Sequence, residues 1–418
     1  MYASSALSKA DNIFHQKILN GDSISLTKAA VIYGANASGK SNIIYALWEL
    51  KKMITLADSI KIDESLSSYK PFLFNPNSAN AQTDFEIIFI AKSTEKYRYL
   101  ISFNKNEIIK EELFYYPQKI AETLFTRTNE KNEKDENLHN GYLGKEFNDK
   151  LYEVHKKLPL LSIFGNASNY HPNLSPVYTY FKDLEVNNVT NQRLVSNLSD
   201  IIKSDLQKED YKWLELQLER LIRACDTQIN GFKIDKESKI RNFEHNKEEK
   251  IIRVSRNEIL FGQHKIYVDQ KDTGDLYPLP FNEESIGTNH LFALGGLILK
   301  ALKEGKVIFF DELDSSLHPY ISRFLLKLFL NPVSNPKNAQ LIFTAHEPNL
   351  MDKNMLRADQ IWFTEKTPQG ETEFFSAQDF DGVREDIPFD KWYMEGKFGA
   401  VPHISEIDYI FGNGKETH

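Results

Sequence analysis

Hydrophobic and polar positions follow two rhythms along the chain, and the switches between them predict the order of elements. Residues 24–33 are largely apolar and predict a buried strand. A glycine-containing loop follows, and Asn42–Met53 is then apolar at helical spacing. Phe85–Ala91 and Tyr97–Phe103 alternate about a polar Lys-Ser-Thr-Glu turn and predict two strands, with another at Ile108–Tyr116. Ile201, Ile202, Leu206, Leu214, Leu218, Leu221 and Ile222 predict one amphipathic helix over 199–225. Short strands are expected within 229–269, at Lys250–Val254 and Lys265–Val268. Ser285–Ala301 predicts a helix, Lys306–Phe310 a buried strand, Pro319–Phe329 a helix and Ala339–Thr344 a second buried strand.

Strand and helix alternate at both ends of the chain, so an α/β fold is expected. Its sheet should be mostly parallel, with an antiparallel β portion and an inserted, mostly helical lobe. The expected division is 1–120 and 278–418 for the α/β part and 121–277 for the lobe. Residues 127–157 are rich in Asn, Glu, Lys and Asp of nearly balanced charge, which reads as a solvated segment.

A net charge of -8 argues against a globally basic partner of nucleic acid or membrane surfaces. Cys225 is the single cysteine, so neither an internal disulfide nor a cysteine-pair zinc site can form, and a reducing compartment is expected. The start of the chain lacks an apolar signal core. The longest apolar run, Leu291–Leu299, is too short to span a bilayer. A soluble, cytoplasmic protein is the expectation.

Chemistry concentrates in a few short stretches. The first is Gly34-Ala-Asn36-Ala37-Ser38-Gly39-Lys40-Ser41, followed by Asn42, set between a buried strand and a helix. Glycines let the backbone wrap a phosphate, and the helix start offers free N–H groups and a positive dipole end. Lys40 would reach the β- and γ-phosphates of ATP, and the Ser41 hydroxyl would ligate Mg2+. The second is Val307-Ile-Phe-Phe-Asp311-Glu312, an apolar strand ending in two acids. Asp311 fits a carboxylate that holds the Mg2+ shell, and Glu312 a base that orients the attacking water. Leu313–Pro319, containing Asp314, comes directly after them.

His346 closes a further buried strand, Leu341–Ala345. A histidine at such a place is commonly a structural side chain. In a parallel sheet, however, it shares the carboxyl edge with the acids and can contact a γ-phosphate. Ser285 and Gly287, in Glu283-Glu-Ser-Ile-Gly-Thr288, open a helix; they read either as a simple cap or as a second anion site.

These elements, in this order, resemble the ABC class of ATPases, with a P-loop, signature loop, Walker B acids, D-loop and switch histidine. The Ser-x-Gly-Thr signature resembles the AAA-type ATPases related to the overcoming-lysogenisation-defect (OLD) proteins. These include ATPases of abortive-infection and restriction loci and the ATPase subunit of PARIS-type anti-phage defence. Leu317-His-Pro319, Ala339–His346, Leu356–Phe363 and Gly396–Pro402 are similar to that group as well. The resemblance implies an ABC-ATPase head that hydrolyses ATP with Mg2+. It also implies a dimer, or a higher oligomer built on such dimers, with Ser285 and Gly287 acting in trans and Asp314 in the D-loop beside the nucleotide. The partners it implies are a separate nuclease or toxin effector and a phage protein as trigger; nucleic acid is not indicated and no membrane is expected. Residues 1–22 do not match the opening strand of that group.

Chromosome-maintenance and DNA-repair clamps of the SMC type are the alternative. They carry long coiled-coil arms, whereas no sustained heptad run is found here. A transporter motor would carry Leu-Ser-Gly-Gly-Gln in place of the Ser285 loop. Asp379-Phe-Asp381 matches one part of a Toprim nuclease motif, but too little chain follows it up to residue 418 to complete that fold. Any nuclease is therefore expected on another chain.

Overall fold

Residues 1–402 are described by a computed structural model, apart from 6, 19–20, 93, 119, 129–137, 140–153, 167–172, 189–191, 226–227, 246–248 and 385. The run 24–33 is two strands, β2 (Ser23–Thr27) and β3 (Ala29–Gly34). Lys28 between them is where the chain changes partners. Its N–H donates to the Asn12 carbonyl, while its own carbonyl accepts from Leu341. β2 therefore pairs antiparallel with β1 (Ile13–Lys17), and β3 enters a different sheet. Apolar composition is shared by both pieces and cannot mark the switch.

That second sheet has six strands in the order β16-β15-β3-β14-β13-β9. They are β9 (Glu185–Asn188), β13 (Val307–Asp311), β14 (Gln340–Thr344), β15 (Ile361–Lys366) and β16 (Thr372–Ser376), with β3 central and buried at every position. β13, β14, β3 and β15 run parallel and β16 antiparallel. Register puts Thr364 opposite Gly34, Thr344 opposite Ile32 and Phe310 opposite Phe343, so the carboxyl ends share one edge. Ligands of open α/β sheets collect at that edge.

Helix α1 (Lys40–Thr55) lies between two apolar cores. Ile43 packs on Ala30, Ile32 and Ile342 of the parallel sheet. Two to three turns later, Leu50, Met53 and Ile54 join the core of a five-stranded antiparallel sheet. That sheet is β4 (Thr83–Ile90), β5 (Lys96–Phe103), β6 (Ile108–Tyr115), β7 (Glu122–Thr128) and β8 (Leu138–His139), in sequential order. The short helices α2 (Leu160–Phe164) and α3 (Ser175–Asp183) complete its core. Each fully buried apolar side chain adds about 1.5–3 kcal/mol, so both ends of α1 are fixed independently. Within this core the buried Glu111 carboxylate accepts from Tyr99 and from the Leu160 and Leu161 N–H groups that open α2.

The chain divides into two compact units, each assembled from separated stretches. One is Met1–Val186 with Lys306–Asp311 and Gln340–His418; the other is Asn187–Gly305 with Glu312–Ala339. In the second, the single helix expected over 199–225 is two, α4 (Gln192–Leu206) and α5 (Lys212–Ala224), separated by a turn that ends in a 3-10 segment, Glu209–Tyr211. Packing explains the break, because both helices lie against α6 (Ile286–Glu304). A Cβ on Gly295 would lie 2.5 Å from a Leu221 methyl, and one on Gly296 2.7 Å from the Ile202 methyl. A glycine in a helix interior costs about 1 kcal/mol relative to alanine; here the close approach of α4 and α5 requires two. Lys208 and Lys300 both bond Asp205. Burial opposes its ionisation, but those two ammonium groups outweigh burial and hold the carboxyl below its ordinary range.

Strand occupies more of 121–277 than a mostly helical reading allows. β10 (Ile229–His245) and β11 (Glu249–Val268) form one long hairpin, with β12 (Lys271–Pro280) on the far side of β11. The short strands expected at 250–254 and 265–268 are parts of β11. Frequent Lys, Glu and Arg residues interrupt the alternation from which strand ends are read. Helix α7 (Pro319–Leu330) follows the acids. No helix among the described residues is long and apolar enough to cross a membrane.

Gly296→Val should lower the unfolding free energy by about 1–3 kcal/mol through overpacking, read by urea denaturation. Unchanged stability would mean that α4 does not press on α6 as described.

Candidate functional site

β3 ends at Gly34, and the chain turns through a tight loop before α1 begins at Lys40. Both glycines are required by their surroundings. A Cβ at Gly34 would lie 2.4 Å from the Thr364 carbonyl oxygen and 2.5 Å from Ser38 Oγ. Gly39 combines a left-handed φ of 110° with a Cβ position 2.4 Å from Thr372 Oγ1. Ala37 also adopts a left-handed φ, 63°, at a cost of about 1–2 kcal/mol for a residue with a Cβ. Threonines of the neighbouring strands hold the loop in this shape. Ser38 Oγ bonds Thr364 Oγ1 at 2.6 Å, and the Ser38 carbonyl accepts from Thr372 Oγ1 at 2.9 Å.

Lys40 is buried, and its ammonium donates to the carbonyls of Gly34 (2.7 Å) and Ala35 (3.1 Å). The positive charge is thereby folded over the loop instead of extending into solvent. Gly39 caps α1 without a side-chain hydrogen bond, so no side chain competes for the N–H groups at the positive end of the helix. Asn36, Ala37, Ser41 and Asn42 are exposed along this rim.

Ser41 Oγ donates to Asp311 Oδ1 at 3.0 Å, and Thr344 Oγ1 donates to the same oxygen at 2.7 Å. Asp311 is only 3% exposed, and a buried carboxylate needs such donors. The ends of β13 and β14 and the first turn of α1 thus meet at one oxygen. Ser41 and Asp311 together are hard oxygen donors of the kind that Mg2+ takes. The glycine cradle and the uncapped helix start suit a phosphate chain, so the residues fit both groups.

His346 lies two residues beyond β14 and is exposed. The next residue is anchored, its carbonyl accepting from the Tyr33 hydroxyl of β3 at 3.1 Å. Tyr393 packs on Tyr33, with ring centroids 5.6 Å apart. Burial pushes the Tyr393 hydroxyl pKa up, and a backbone hydrogen bond at Gly34 opposes that.

Glu312 follows Asp311 directly and has a left-handed φ of 56°; Ser316 has one of 62°. These turns send the chain away from β13 towards α7, which His318 caps by accepting from the Tyr320 N–H. In the second unit Ser285 caps α6, its hydroxyl accepting from the Thr288 N–H at 3.0 Å. Asn289 ties the Glu284 and Ser285 carbonyls at 3.2 and 3.1 Å. A Cβ at Gly287 would stand 3.0 Å from the Ser316 carbonyl oxygen, so the loops containing Ser285 and Asp314 approach each other within that unit. The cap reading of Ser285 is therefore realised, and Ile286 beside it is 61% exposed.

Of the residues read from sequence, Lys40, Ser41 and Asp311 come together in the first unit, with His346 at the same sheet edge. Ser285, Gly287 and Asp314 belong to the second. The reading from sequence missed Thr344, Thr364, Thr372 and Tyr33. The available signal was modest: Thr344 and Thr364 each follow a short apolar run, Leu341–Phe343 and Ile361–Phe363, near the carboxyl end of a strand.

Residues 29–352 match the protein family described as "AAA domain, putative AbiEii toxin, Type IV TA system", a span that includes the Gly34–Ser41 loop, Asp311, Glu312 and His346. A search of curated proteins gives no match.

Thr344→Val keeps the shape of the side chain and removes the hydrogen bond that Thr344 gives to Asp311. Unfolding free energy should fall by about 1–3 kcal/mol, measured by chemical denaturation. A variant as stable as the parent would show that Thr344 does not hold the carboxylate.

Proposed function

The chain belongs to this family of AAA-type ATPase domains, and we propose that it is an ATP-driven switch whose nucleotide sits on the Gly34–Ser41 loop. The observation that carries this reading is the joint between Ser41, Asp311 and Thr344, one residue along α1 from Lys40. Lys40 exchanges loop carbonyls for the β- and γ-phosphates, its ammonium already being poised at the loop. Ser41 and Asp311 hold Mg2+, which when bound neutralises charge on those phosphates. Glu312 accepts the proton of the attacking water, and His346 contacts the γ-phosphate.

A second copy of the chain completes each site in this reading, presenting Ser285, Gly287 and the start of α6, with Asp314 beside the nucleotide. Ser285 and Ile286 at the start of α6 are exposed, which leaves this end of the helix open to a second copy. An ATPase of this kind acts by changing shape, and a shape change needs a recipient. We assign that role to a separate nuclease or toxin, gated by ATP during anti-phage defence. The family description, "putative AbiEii toxin, Type IV TA system", supports a toxin–antitoxin setting.

Glu312→Gln fills the same space but accepts no proton. It should keep ATP bound, slow hydrolysis by at least about 100-fold and sediment as a dimer with ATP and as a smaller species without it. Undiminished hydrolysis would remove Glu312 from the chemistry, and an assembly indifferent to ATP would contradict the paired site.

A further inference from the structure

The glycine loop and the Asp311 joint account for the phosphates and leave the rest of a nucleotide without a surface. Building on the nucleotide reading above, we propose that the segment Lys70–Phe74 is the stacking platform for the adenine base of a nucleotide bound on the Gly34–Ser41 loop.

Phe74 is 81% exposed and Leu73 71%, beside Phe72, whose ring meets Phe74 edge-on with centroids 5.4 Å apart. Phe72, Leu73 and Phe74 thus set three neighbouring apolar side chains on one surface loop. The loop is not loosely placed: Tyr69 closes its base by donating to the Ala81 carbonyl at 2.8 Å.

Two independent ties fix the segment beside the start of α1. At one end Lys70 donates to the Tyr45 hydroxyl at 2.6 Å and sits 4.2 Å over the Tyr45 ring, one turn of α1 beyond Ser41. At the other end the rings lie on the turn between β15 and β16. A Cβ on Gly370, which has φ 85°, would stand 3.2 Å from Phe74 and 3.8 Å from Phe72. Lys366 closes that turn by donating to the Gly370 carbonyl at 2.8 Å and to Thr372 Oγ1 at 2.9 Å. Thr372 is the residue that donates to the Ser38 carbonyl and crowds Gly39.

The ring contact and the phosphate-loop contact thus fall two residues apart at the end of one turn, with Gly370 against the rings and Thr372 on the Ser38 carbonyl. A base on the rings and phosphates on the loop would therefore be held by neighbouring residues of that turn. The exposed face of Phe74 offers a flat π-surface, and stacking on an aromatic ring is a general mode of base recognition.

The test is a calorimetric titration of the full chain, in Mg2+, with ATP and separately with inorganic triphosphate. Phe74→Ala should weaken ATP binding about tenfold and leave triphosphate binding unchanged. Phe74→Trp should retain ATP affinity and show fluorescence quenching with ATP but not with triphosphate. Unchanged ATP affinity in both Phe74→Ala and the Phe72→Ala/Phe74→Ala double variant would overturn the proposal and leave the patch to a protein partner. Equal weakening of both ligands would also overturn it, because the rings would then serve the loop rather than the base. A parent chain that binds neither ligand would instead overturn the nucleotide reading on which the proposal rests.

Discussion

Asp311 Oδ1 accepts hydrogen bonds from Ser41 on α1 and from Thr344 on β14, and the working edge of the first unit is organised around that oxygen. A carboxylate this deeply buried would be costly without donors, so the joint is also the reason that an acid can stand at the end of the Val307–Asp311 strand. Its two donors come from elements distant in sequence. Anything that draws on Ser41 or Asp311 is therefore felt by the helix and both strands together. α1 is braced for this, since one stretch packs on the parallel sheet and another on the antiparallel one.

Left-handed backbone at non-glycine residues is spread along the chain, and three instances fall in the loops that carry the candidate site residues. Ala37 in the phosphate loop, Glu312 after the strand and Ser316 before α7 all adopt left-handed conformations without being glycine. Such conformations cost free energy and persist where the surroundings over-determine them. The hydroxyls of Thr364 and Thr372 supply that determination for the phosphate loop by fastening Ser38 on both sides. The shape of the loop is thereby held from both sides.

Much of this was legible in the sequence because its signals are contiguous. Gly34–Ser41 is eight successive residues between a strand and a helix, and Asp311-Glu312 ends an unbroken apolar run. The mixed α/β fold with its parallel sheet followed from the same alternation, and the structure has it. What was not legible is relational. Lys28 looks like one polar residue in an apolar run, yet it marks a change of sheet. Residues 199–225 keep helical spacing across a break that exists because α4 and α5 each need their own approach to Gly295 and Gly296. Thr344 resembles any threonine of a β-strand until Asp311 is placed beside it in space.

In the proposed function, Asp311 is the group that would join the protein to Mg2+ and through it to ATP. The most direct measurement is phosphate release from ATP as a function of Mg2+ concentration, for the parent chain and for Asp311→Asn. An amide preserves the shape of the joint but loses the charge that a hard divalent cation requires. The parent should show saturable, Mg2+-dependent release, and Asp311→Asn should lose it or need far more Mg2+ to approach it. Identical Mg2+ dependence in the two proteins would contradict the account at its centre.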